Sequence, residues 1–301
     1  MVNWEATLMP IALSEGSPLR YPGGKASLLN YIAKLLDENK LCGCHFIEPY
    51  AGSAIISLQL LRKEVILAAT IVEKDPLIYA FWQCVFNYTE AFIKEIEKLP
   101  VTIDTWHEFQ KYREADGIDD FSILEMGLAG LFYNRTNFSG IMKANPLGGL
   151  KQESSYKIDC RFNKIRLIKQ IEQLSELRLK ISVVYDDALE YLKKQHIYLK
   201  TNNCFIYIDP PYYEKGKILY RYWYDQEDHK DLAKFLIKCK TPWLVSYDNH
   251  EEIHKIYRKA KTVEEMFFDY TVSKRRKEKE LLISNLEIPP GMKAIYQAAF
   301  A

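Results

Sequence analysis

The hydrophobic residues of this chain form two alternating kinds of segment. Short apolar runs rich in β-branched residues, each bounded by polar or turn residues, are typical of buried strands. These runs are residues 44–48, 65–72, 181–185, 204–208 and 242–247. Segments with apolar positions three or four residues apart predict helices. These segments are residues 26–36, 54–61, 165–179 and 229–237.

Strands that alternate with helices predict a mostly parallel sheet covered on both faces, so the expected fold class is α/β. Two further apolar runs, residues 266–272 and 281–286, are separated by a charged stretch at residues 273–280. We interpret them as an antiparallel hairpin with a basic loop that closes the sheet.

The alternation stops between about residue 86 and residue 160. The first half of this gap has helical periodicity at residues 91–99, 105–113 and 121–133, and the second half is rich in turn residues. Long irregular segments of a compact chain are usually functional or disordered, and interleaved aromatic residues favour order here. We predict an inserted domain at residues 87–159, between the two parts of a main domain at residues 17–86 and 160–290.

The composition is that of a globular protein, with 48% hydrophobic and 13% aromatic residues among 301. Apolar runs are too short for a membrane span, and no basic region precedes the short apolar run at the N-terminus, so no signal peptide is predicted. The six cysteines show no C-x-x-C spacing, as expected for free thiols in a reducing compartment. We expect a cytoplasmic protein with no metal site and no membrane partner.

The net charge of +1 conceals an uneven distribution. Residues 88–129 contain ten acids and four bases, whereas residues 130–180 contain ten bases and four acids. The basic segment suits a polyanion, although charge runs are usually solvated helix faces.

The most informative segment is Asp209-Pro210-Pro211-Tyr212, which directly follows the apolar run at residues 204–208. A strand that ends in this way presents a carboxylate, a carbonyl with no competing N–H and an aromatic ring at the carboxyl edge of a sheet. Together these groups can hold a planar, amino-bearing base. The alternative is an ordinary Asp-Pro turn.

Three other segments indicate a site for a nucleotide-like cofactor. The segment that begins at Glu48 leaves a strand and enters a helix, and its Gly52 allows the backbone to approach a ligand closely. Glu73 follows the second strand, where its carboxylate can accept hydrogen bonds from ribose hydroxyls. The turn from Arg20 to Lys25 opens a helix with a cation that can meet a carboxylate. The pattern G-x-G-x-x-G is absent, which argues against an oxidoreductase with a nucleotide cofactor.

In this order, the motifs resemble the Dam-type (D12 class) family of site-specific DNA adenine-N6 methyltransferases. The resemblance runs from about Ser17 to Leu286. It rests on Tyr21-Pro22-Gly23-Gly24-Lys25, Glu48-Pro49-Tyr50-Ala51-Gly52, Glu73, Asn134-Arg135 with Phe138-Ser139-Gly140, Asp187 and Asp209-Pro210-Pro211-Tyr212. It implies a Rossmann-like methyltransferase sheet with a closing hairpin and an inserted, mainly helical target-recognition domain.

The resemblance implies that the cofactor, S-adenosylmethionine, lies over the strand ends. The implied contacts are Tyr21, Pro22, Lys25, Glu48, Pro49, Tyr50, Ala51, Gly52, Glu73, Asp187, Ala188 and Asp209. Among these, Lys25 is expected to meet the methionine carboxylate, and Glu73 the ribose hydroxyls. Asp187 and Ala188 are expected to border the adenine.

The implied reaction is methyl transfer to N6 of an adenine flipped out of duplex DNA. The implied catalytic motif is Asp209, Pro210, Pro211 and Tyr212. Asp209 and the Pro210 carbonyl would accept the two amino hydrogens, and Tyr212 would stack on the base. Positioning of the reactants and electrostatic stabilisation would supply the rate enhancement, with no covalent intermediate or metal.

The implied DNA contacts come from the basic half of the insertion and from the hairpin. They are Arg135, Asn137, Phe138, Ser139, Lys143, Arg161, Lys274, Arg275 and Arg276. Phosphate contacts would supply most of the affinity, and base contacts the specificity.

The chain departs from the family pattern in places that bear on specificity. Phe138-Ser139-Gly140 and Lys143 stand where members that methylate GATC carry a Tyr-Asn-Gly turn and a following arginine, so the recognition sequence stays open. Ala54 replaces a glycine common in the family's cofactor loop. The aromatic segment from Tyr212 to Asp225 resembles the family's mobile loop beside the target base, although an aromatic packing cluster is an equal interpretation.

Other functions remain open at this point. Related motifs serve methyl transfer to RNA or to a protein amide, and a relative that binds nucleic acid without catalysis is a further alternative. The intact segment at residues 209–212 and the basic insertion favour duplex DNA as the partner. A cognate restriction endonuclease is a second candidate partner.

Overall fold

A computed structural model describes residues 16–20, 25, 28–115, 117–271 and 275–287, with side chains described outside residues 267–278. The strands are β1 (His45–Glu48), β2 (Ala68–Glu73), β3 (Ile181–Tyr185), β4 (Cys204–Ile208), β5 (Trp243–Asp248), β6 (Thr262–Thr271) and β7 (Arg275–Ser284). They form one seven-stranded sheet in the order β3-β2-β1-β4-β5-β7-β6. The first five strands are parallel, and β7 is antiparallel to both of its neighbours. The predicted α/β sheet is confirmed.

The central strand β4 is apolar throughout because both faces of the sheet are covered there. All five residues of β4 are buried. Phe205 and Tyr207 belong to one hydrophobic core, whereas Ile206 and Ile208 belong to the core on the other face. The twofold alternation of a strand therefore supplies both cores from one short run.

The predicted periodic segments are helical with shifted ends, and five further helices, at residues 76–87, 188–194, 196–201, 216–219 and 251–256, lie outside them. In chain order the helices are α1 (Leu29–Glu38), α2 (Ile55–Arg62), α3 (Pro76–Asn87), α4 (Thr89–Lys98), α5 (Ile103–Glu108), α6 (Gln110–Glu114), α7 (Ile123–Thr136), α8 (Lys164–Ser175), α9 (Ala188–Lys194), α10 (His196–Thr201), α11 (Gly216–Leu219), α12 (Gln226–Lys238) and α13 (Glu251–Ile256). The single helix predicted at residues 105–113 is two short helices, which meet at Phe109.

The hairpin differs from the prediction. Residues 275–280, which we assigned to a basic loop, lie in β7, and β6 begins four residues earlier than the apolar run. Apolar runs mark only strands that are buried, and the outer part of this hairpin pairs with no other strand. The basic residues Arg275 and Arg276 therefore belong to a strand.

The inserted region packs closely against α3 through α7. A Cβ atom at Gly130 would lie 2.3 Å from the carbonyl oxygen of Leu77 in α3, and one at Gly127 would lie 2.5 Å from the Cys84 sulfur. Buried side chains of α7, such as Phe132, share one core with Phe46 of β1. The helices of the insertion thus extend the main core, and the domain boundaries stay a prediction.

None of the helices in the described part of the chain is long and apolar enough to cross a membrane.

Candidate active site

The predicted chemical groups gather at the carboxyl ends of the parallel strands. Glu48 ends β1, Glu73 ends β2, and Asp209 directly follows β4. Because β2, β1 and β4 are neighbours in the sheet, these ends meet at one edge, where open α/β sheets bind ligands. A cleft at this edge is lined by Pro49, Tyr50, Glu73, Lys74, Asp187, Ala188, Asp209, Pro211, Tyr220, Tyr222 and Tyr224.

Asp209 is held in place by two side chains. Its Oδ1 atom accepts a hydrogen bond from the Ser246 hydroxyl at 2.8 Å and pairs with Lys25 Nζ at 2.9 Å. The Asp209 side chain is 24% exposed, whereas that of Lys25 is only 2% exposed. One side of the carboxylate is therefore fixed from within the protein, and the group remains accessible from the cleft.

Lys25 also binds two other groups of the same cluster. Its ammonium lies 3.2 Å from Glu280 Oε1 and donates to the Tyr212 hydroxyl at 3.1 Å. That hydroxyl in turn donates to Glu280 Oε1 at 3.4 Å. One buried ammonium thus balances two carboxylates, which offsets part of the cost of burying all three charges.

The contacts of Lys25 differ from the expected ones. We predicted that its ammonium meets the methionine carboxylate of the cofactor, but the structure directs it to the carboxylates of Asp209 and Glu280. The buried side of α1 shares one core with Phe205 of β4, and the Lys25 ammonium reaches the carboxylate of Asp209, which directly follows that strand. These contacts hold the Asp209 carboxylate, and a contact of Lys25 with the cofactor stays a prediction.

Tyr212 is a neutral phenol in this environment. Burial raises the pKa of its hydroxyl to about 12, although nearby Lys25 acts in the opposite direction. The hydroxyl is therefore protonated at neutral pH and acts as the hydrogen-bond donor to Glu280, which fixes the orientation of the ring.

Sequence reasoning missed Ser246 and Glu280. Ser246 is the single small polar residue within the apolar run of β5, and such a residue in a buried strand is a usable signal. Glu280 ends the charged stretch and directly precedes buried Leu281, so it lies where β7 enters the core. Its role depends on strand pairing across the chain, which the local sequence does not reveal.

Glu73 joins the end of β2 to the turn after β1. Its Oε2 accepts from the backbone N–H of Gly52 at 3.0 Å, and its Oε1 accepts from those of Lys74 and Asp75 at 3.0 and 2.9 Å. Burial and the Asp75 charge raise the pKa of Glu73 to about 7, against the opposing effect of these donors. Gly52 has a φ of +45°, a left-handed conformation that glycine adopts without steric cost.

Glu48 lies behind the cleft. Its carboxylate accepts from the backbone N–H of Ser57 at 3.1 Å and from the Ser57 hydroxyl, and burial raises its pKa to about 8. Its described contacts therefore anchor the first turns of α2. Its neighbours Pro49 and Tyr50 line the cleft, whereas Ala51 is buried and its N–H donates to Val72 O at 3.2 Å.

Asp187 and its neighbour Ala188 also line the cleft. Asp187 Oδ1 accepts from the N–H groups of Leu189 and Glu190 and caps α9, and its Oδ2 pairs with Lys74 at 3.0 Å. The Lys74 side chain is half exposed, so this pair is partly screened by solvent.

Residues 213–225, which we call the tyrosine loop, cross the cleft. The first two residues of the loop are held by Asp248 of β5. Its carboxylate accepts from the N–H groups of Tyr213 and Glu214 at 2.9 and 3.2 Å. Tyr50 donates to the Tyr224 hydroxyl at 2.7 Å, so the loop directly contacts residues 48–52, one of the segments predicted to bind the cofactor.

The turn after α7 is fixed against the N-terminal segment. Buried Asn134 accepts from Arg20 N and donates to Arg20 O, both at 2.7 Å. A Cβ at Gly140, where φ is +75°, would lie 2.2 Å from the same Arg20 oxygen. These contacts present Phe138 at the surface, where it is 58% exposed, and hold Ser139 in a left-handed conformation with φ of +55°.

The prediction that Asn137 contacts DNA is wrong. Its side chain is fully buried, and its oxygen accepts from the Trp106 indole N–H at 2.8 Å. Its amide nitrogen donates to the carbonyl oxygens of Ile141 and Met142 at 3.2 and 3.0 Å. Asn137 has no polar group left for a ligand and instead shapes the turn.

The other predicted DNA contacts divide into two groups. Lys143 and Arg161 are exposed. Arg135 is half-buried, and its Nε donates to Arg161 O at 2.8 Å. Burial and three nearby arginines lower the pKa of Arg135 to about 10, so the group is charged at neutral pH.

Several predicted residues cannot be placed. Tyr21, Pro22 and Lys274 lie outside the described residues, and the side chains of Arg275 and Arg276 do too. Among the side chains that are described, no group of three or more His, Cys, Asp or Glu residues is arranged to hold a metal ion.

The strand order, together with acidic and aromatic groups at the carboxyl edge, defines a mixed α/β protein consistent with the methyltransferase fold. Residues 21–268 match the family of D12 class N6 adenine-specific DNA methyltransferases. The match covers most of the chain, which therefore belongs to this family. The chain is also similar to Modification methylase StsI of Streptococcus sanguinis, with 24% identity over 229 residues. That alignment covers 71% of this chain and 32% of the relative, so the chain spans about a third of the relative's length.

Proposed function

We propose that this protein transfers a methyl group from S-adenosylmethionine to N6 of an adenine flipped out of duplex DNA. The observation that carries the proposal is the Asp209 carboxylate, fixed by Ser246 and Lys25 and still accessible from the cleft. It lies at the carboxyl edge of the sheet in a chain of the D12 family. A structural Asp-Pro turn does not require a buried lysine to hold its carboxylate.

The lining of the cleft fits the proposed cofactor. S-adenosylmethionine supplies an electrophilic methyl group on a cationic sulfonium. Carboxylates and aromatic faces favour a cation, and the cleft presents both types of group. The acids are Glu73, Asp187 and Asp209, and the rings are Tyr50, Tyr220, Tyr222 and Tyr224. Glu73 and Asp187 would meet the ribose and adenine sides, and Pro49 and Tyr50 the methionine side.

The residues after β4 would orient the target amine. N6 of adenine is a weak nucleophile because its lone pair is delocalised into the ring. Hydrogen bonds from the two amino hydrogens to Asp209 and the Pro210 carbonyl localise that lone pair, and the Tyr212 ring holds the base plane. Since the carboxylate and the phenol are fixed before the base arrives, little reorganisation is needed in the transition state.

Duplex DNA would approach the carboxyl edge of the sheet. Exposed Phe138 and half-buried Ser139 would contact bases, and Lys143, Arg161 and Arg135 would supply positive charge to the phosphates. The hairpin supports this direction. Asp248, the last residue of β5, pairs with Glu280, so residues 275–279 of β7 extend beyond the carboxyl end of β5.

We propose that residues 87–159 act as the target-recognition region and that residues 17–86 and 160–290 form the catalytic unit. The relative from Streptococcus sanguinis is named a modification methylase. By analogy, we propose a restriction-modification role with a cognate endonuclease as the partner, in the cytoplasm.

The proposal is tested by transfer of a labelled methyl group from S-adenosylmethionine to unmethylated DNA. We expect Asp209→Asn to reduce transfer by about 100-fold or more, because the amide lacks the charge that the developing positive amine requires. Asp231→Asn, on the exposed face of α12, is the matched control and should retain activity. Sequencing of N6-methyladenine gives the recognition sequence.

Three outcomes would contradict the proposal. Equal transfer by the wild type and Asp209→Asn would remove Asp209 from the reaction. Transfer to RNA or protein acceptors, with none to DNA, would favour the alternative substrates. Cofactor binding without transfer to any acceptor would favour a relative that has lost catalysis.

A further inference from the structure

Arg221, in the middle of the tyrosine loop, is unusually enclosed for a loop arginine. Its side chain is 10% exposed, and that of its ion-pair partner Asp75 is 9% exposed. Arg221 Nη1 lies 3.0 Å from Asp75 Oδ1, and Nη2 donates to the carbonyl oxygen of Ala115 at 3.2 Å. Arginine side chains are almost never this buried without an ion-pair partner.

Asp75 connects this ion pair to the cofactor side of the cleft. Its N–H donates to Glu73 Oε1 at 2.9 Å, and its Oδ1 caps α3 by accepting from Leu77 N at 3.0 Å. Burial raises the pKa of Asp75, and the Arg221 charge opposes that rise. Arg221 therefore ties the loop to the strand end that carries Glu73.

Ala115 connects the same guanidinium to the inserted region. It directly follows α6, which lies within residues 87–159. One side chain thus joins three segments that are far apart in sequence: the loop after the catalytic motif, the end of β2 and the insertion.

The loop held by Arg221 fills much of the cleft. Tyr220, Tyr222 and Tyr224 line it, and the Lys74 ammonium lies 5.9 Å from the Tyr222 ring centre. With the loop in this position the cleft retains about 60 Å³ of free volume. Pockets that hold ligands of drug size are roughly 300–1,000 Å³. A nucleoside-sized cofactor therefore needs the loop to withdraw.

We propose that Arg221 is a positioning residue that latches the tyrosine loop over the cofactor cleft. Release of its contacts with Asp75 and Ala115 admits the cofactor, and their reformation packs Tyr220, Tyr222 and Tyr224 around it. Because Ala115 belongs to the inserted region, the latch also links closure of the cleft to the part of the chain proposed to bind DNA. This inference rests on the proposed function.

Two variants break the latch from opposite sides. Arg221→Gln removes the charge from the loop, and Asp75→Asn removes it from the strand end while keeping the cap of α3, since Asn caps helices as well as Asp does. We expect each variant to raise the KM for S-adenosylmethionine about tenfold and to speed its dissociation. We expect the double variant to be no worse than either single one, because the two residues act through one contact.

Hydrogen exchange provides a readout independent of activity. We expect exchange in residues 213–225 to increase at least tenfold in both variants, with exchange in β4 and α3 unchanged. Lys217→Gln is the control in the same loop, because Lys217 lies over Trp223, outside the lining of the cleft. It should leave both readouts unchanged.

Unchanged loop exchange in Arg221→Gln, or additive effects in the double variant, would overturn the latch. Faster exchange throughout the protein would also overturn it, since that result shows general destabilisation. If Arg221→Gln does not fold, Asp75→Asn tests the same contact. Local opening of the loop in a protein that does not bind S-adenosylmethionine would support the latch and overturn the proposed function, so the two failures are distinguishable.

Discussion

Glu280 shows how much of the site depends on a single buried side chain. Its carboxylate pairs with Lys25, which also holds Asp209, and accepts a hydrogen bond from Tyr212. Asp209 and Tyr212 are the acid and the ring of the proposed catalytic motif. Removal of the Glu280 charge leaves Lys25 with Asp209 as its remaining carboxylate in this cluster and loosens the Tyr212 ring.

We therefore expect Glu280→Gln to lower kcat for methyl transfer about tenfold, because hydrogen bonds to charged groups contribute roughly 1.5–3 kcal/mol. The KM for the cofactor should stay the same, since Glu280 is not among the residues that line the cleft. Steady-state kinetics would separate the two parameters. Glu265→Gln, on exposed β6, is the control, and an equal loss there would contradict a specific role for Glu280.

His229 gives the protein a pH-dependent stability. It is buried beneath the tyrosine loop, contacts the rings of Tyr213 and Tyr224, and shares a 2.8 Å hydrogen bond between Nδ1 and the Tyr247 hydroxyl. Burial lowers its pKa from 6.5 to about 4. The unfolded chain therefore takes up this proton at a higher pH than the folded protein does.

The contribution of His229 is fully present above about pH 6.5 and is lost as the pH falls toward 4. We expect the free energy of unfolding to drop by about 1–2 kcal/mol more in the wild type than in His229→Gln between pH 7 and pH 5. Urea unfolding at both values measures this difference. Parallel pH profiles for the two proteins would show that His229 is not buried in its neutral form.

The sequence predicted those residues of the site whose chemistry is local. Asp209, Glu73 and Asp187 each follow a strand, and parallel strands bring such positions to one edge. Glu280 and Arg221 could not be predicted, because each acts through a partner more than 60 residues away. Ser246 had a local signal, a small polar residue in a buried strand, but its partner Asp209 lies 37 residues away. Asn137 was misassigned because motif position carries no information about burial.

At the scale of elements, the contact between α3 and α7 depends on two glycines. A Cβ at Gly130 would lie 2.3 Å from a backbone oxygen of α3, which cannot move without shifting the helix. Alanine normally stabilises a helix by roughly 0.5–1 kcal/mol relative to glycine, so the sign of the change is diagnostic.

We expect Gly130→Ala to lower the free energy of unfolding by about 1–3 kcal/mol, the usual cost of overpacking. Gly117→Ala is the matched control, because a Cβ there meets nothing within 4 Å. Chemical denaturation measures both variants. A stabilised Gly130→Ala protein would mean that α7 packs farther from α3.

The elements themselves were predictable where burial imposes a clear period. The five parallel strands match apolar runs, most clearly β4, all of whose residues are buried between two cores. The length of the hairpin strands was underestimated. In the outer part of the hairpin each strand pairs only with the other, so charged residues are compatible with it. Ala54, where the family commonly has glycine, adopts a φ of +48°, which explains that preference by backbone geometry.

At the scale of the whole molecule, positive charge is available at both ends of the sheet, yet DNA is expected at one. Lys143 belongs to the inserted region and Arg161 lies just after it, while Lys240 lies before β5 at the amino edge of the strands. Because the net charge is only +1, the positions of the basic residues say more about where DNA would bind than the total charge does.

We expect Lys143→Gln and Arg161→Gln each to weaken DNA binding and to reduce the slope of log K against log salt by about 1. Lys240→Gln should leave the slope unchanged. Fluorescence anisotropy between 50 and 200 mM salt, roughly the range in which phosphate contacts dominate, measures these slopes. A reduced slope for Lys240→Gln alone would place DNA at the opposite edge.

The register of β7 has a consequence for how specificity could change over time. Glu280 pairs with Asp248 at the base of the hairpin, while Thr271 and Arg275 pair at its outer end. Residues added or removed at the tip leave the base in register, whereas a shift of one residue at the base would turn Glu280 to the other face of the sheet. The hairpin therefore tolerates changes of length at its outer end but not at its base. Substrate preference could diversify at the first without disturbing the chemistry at the second.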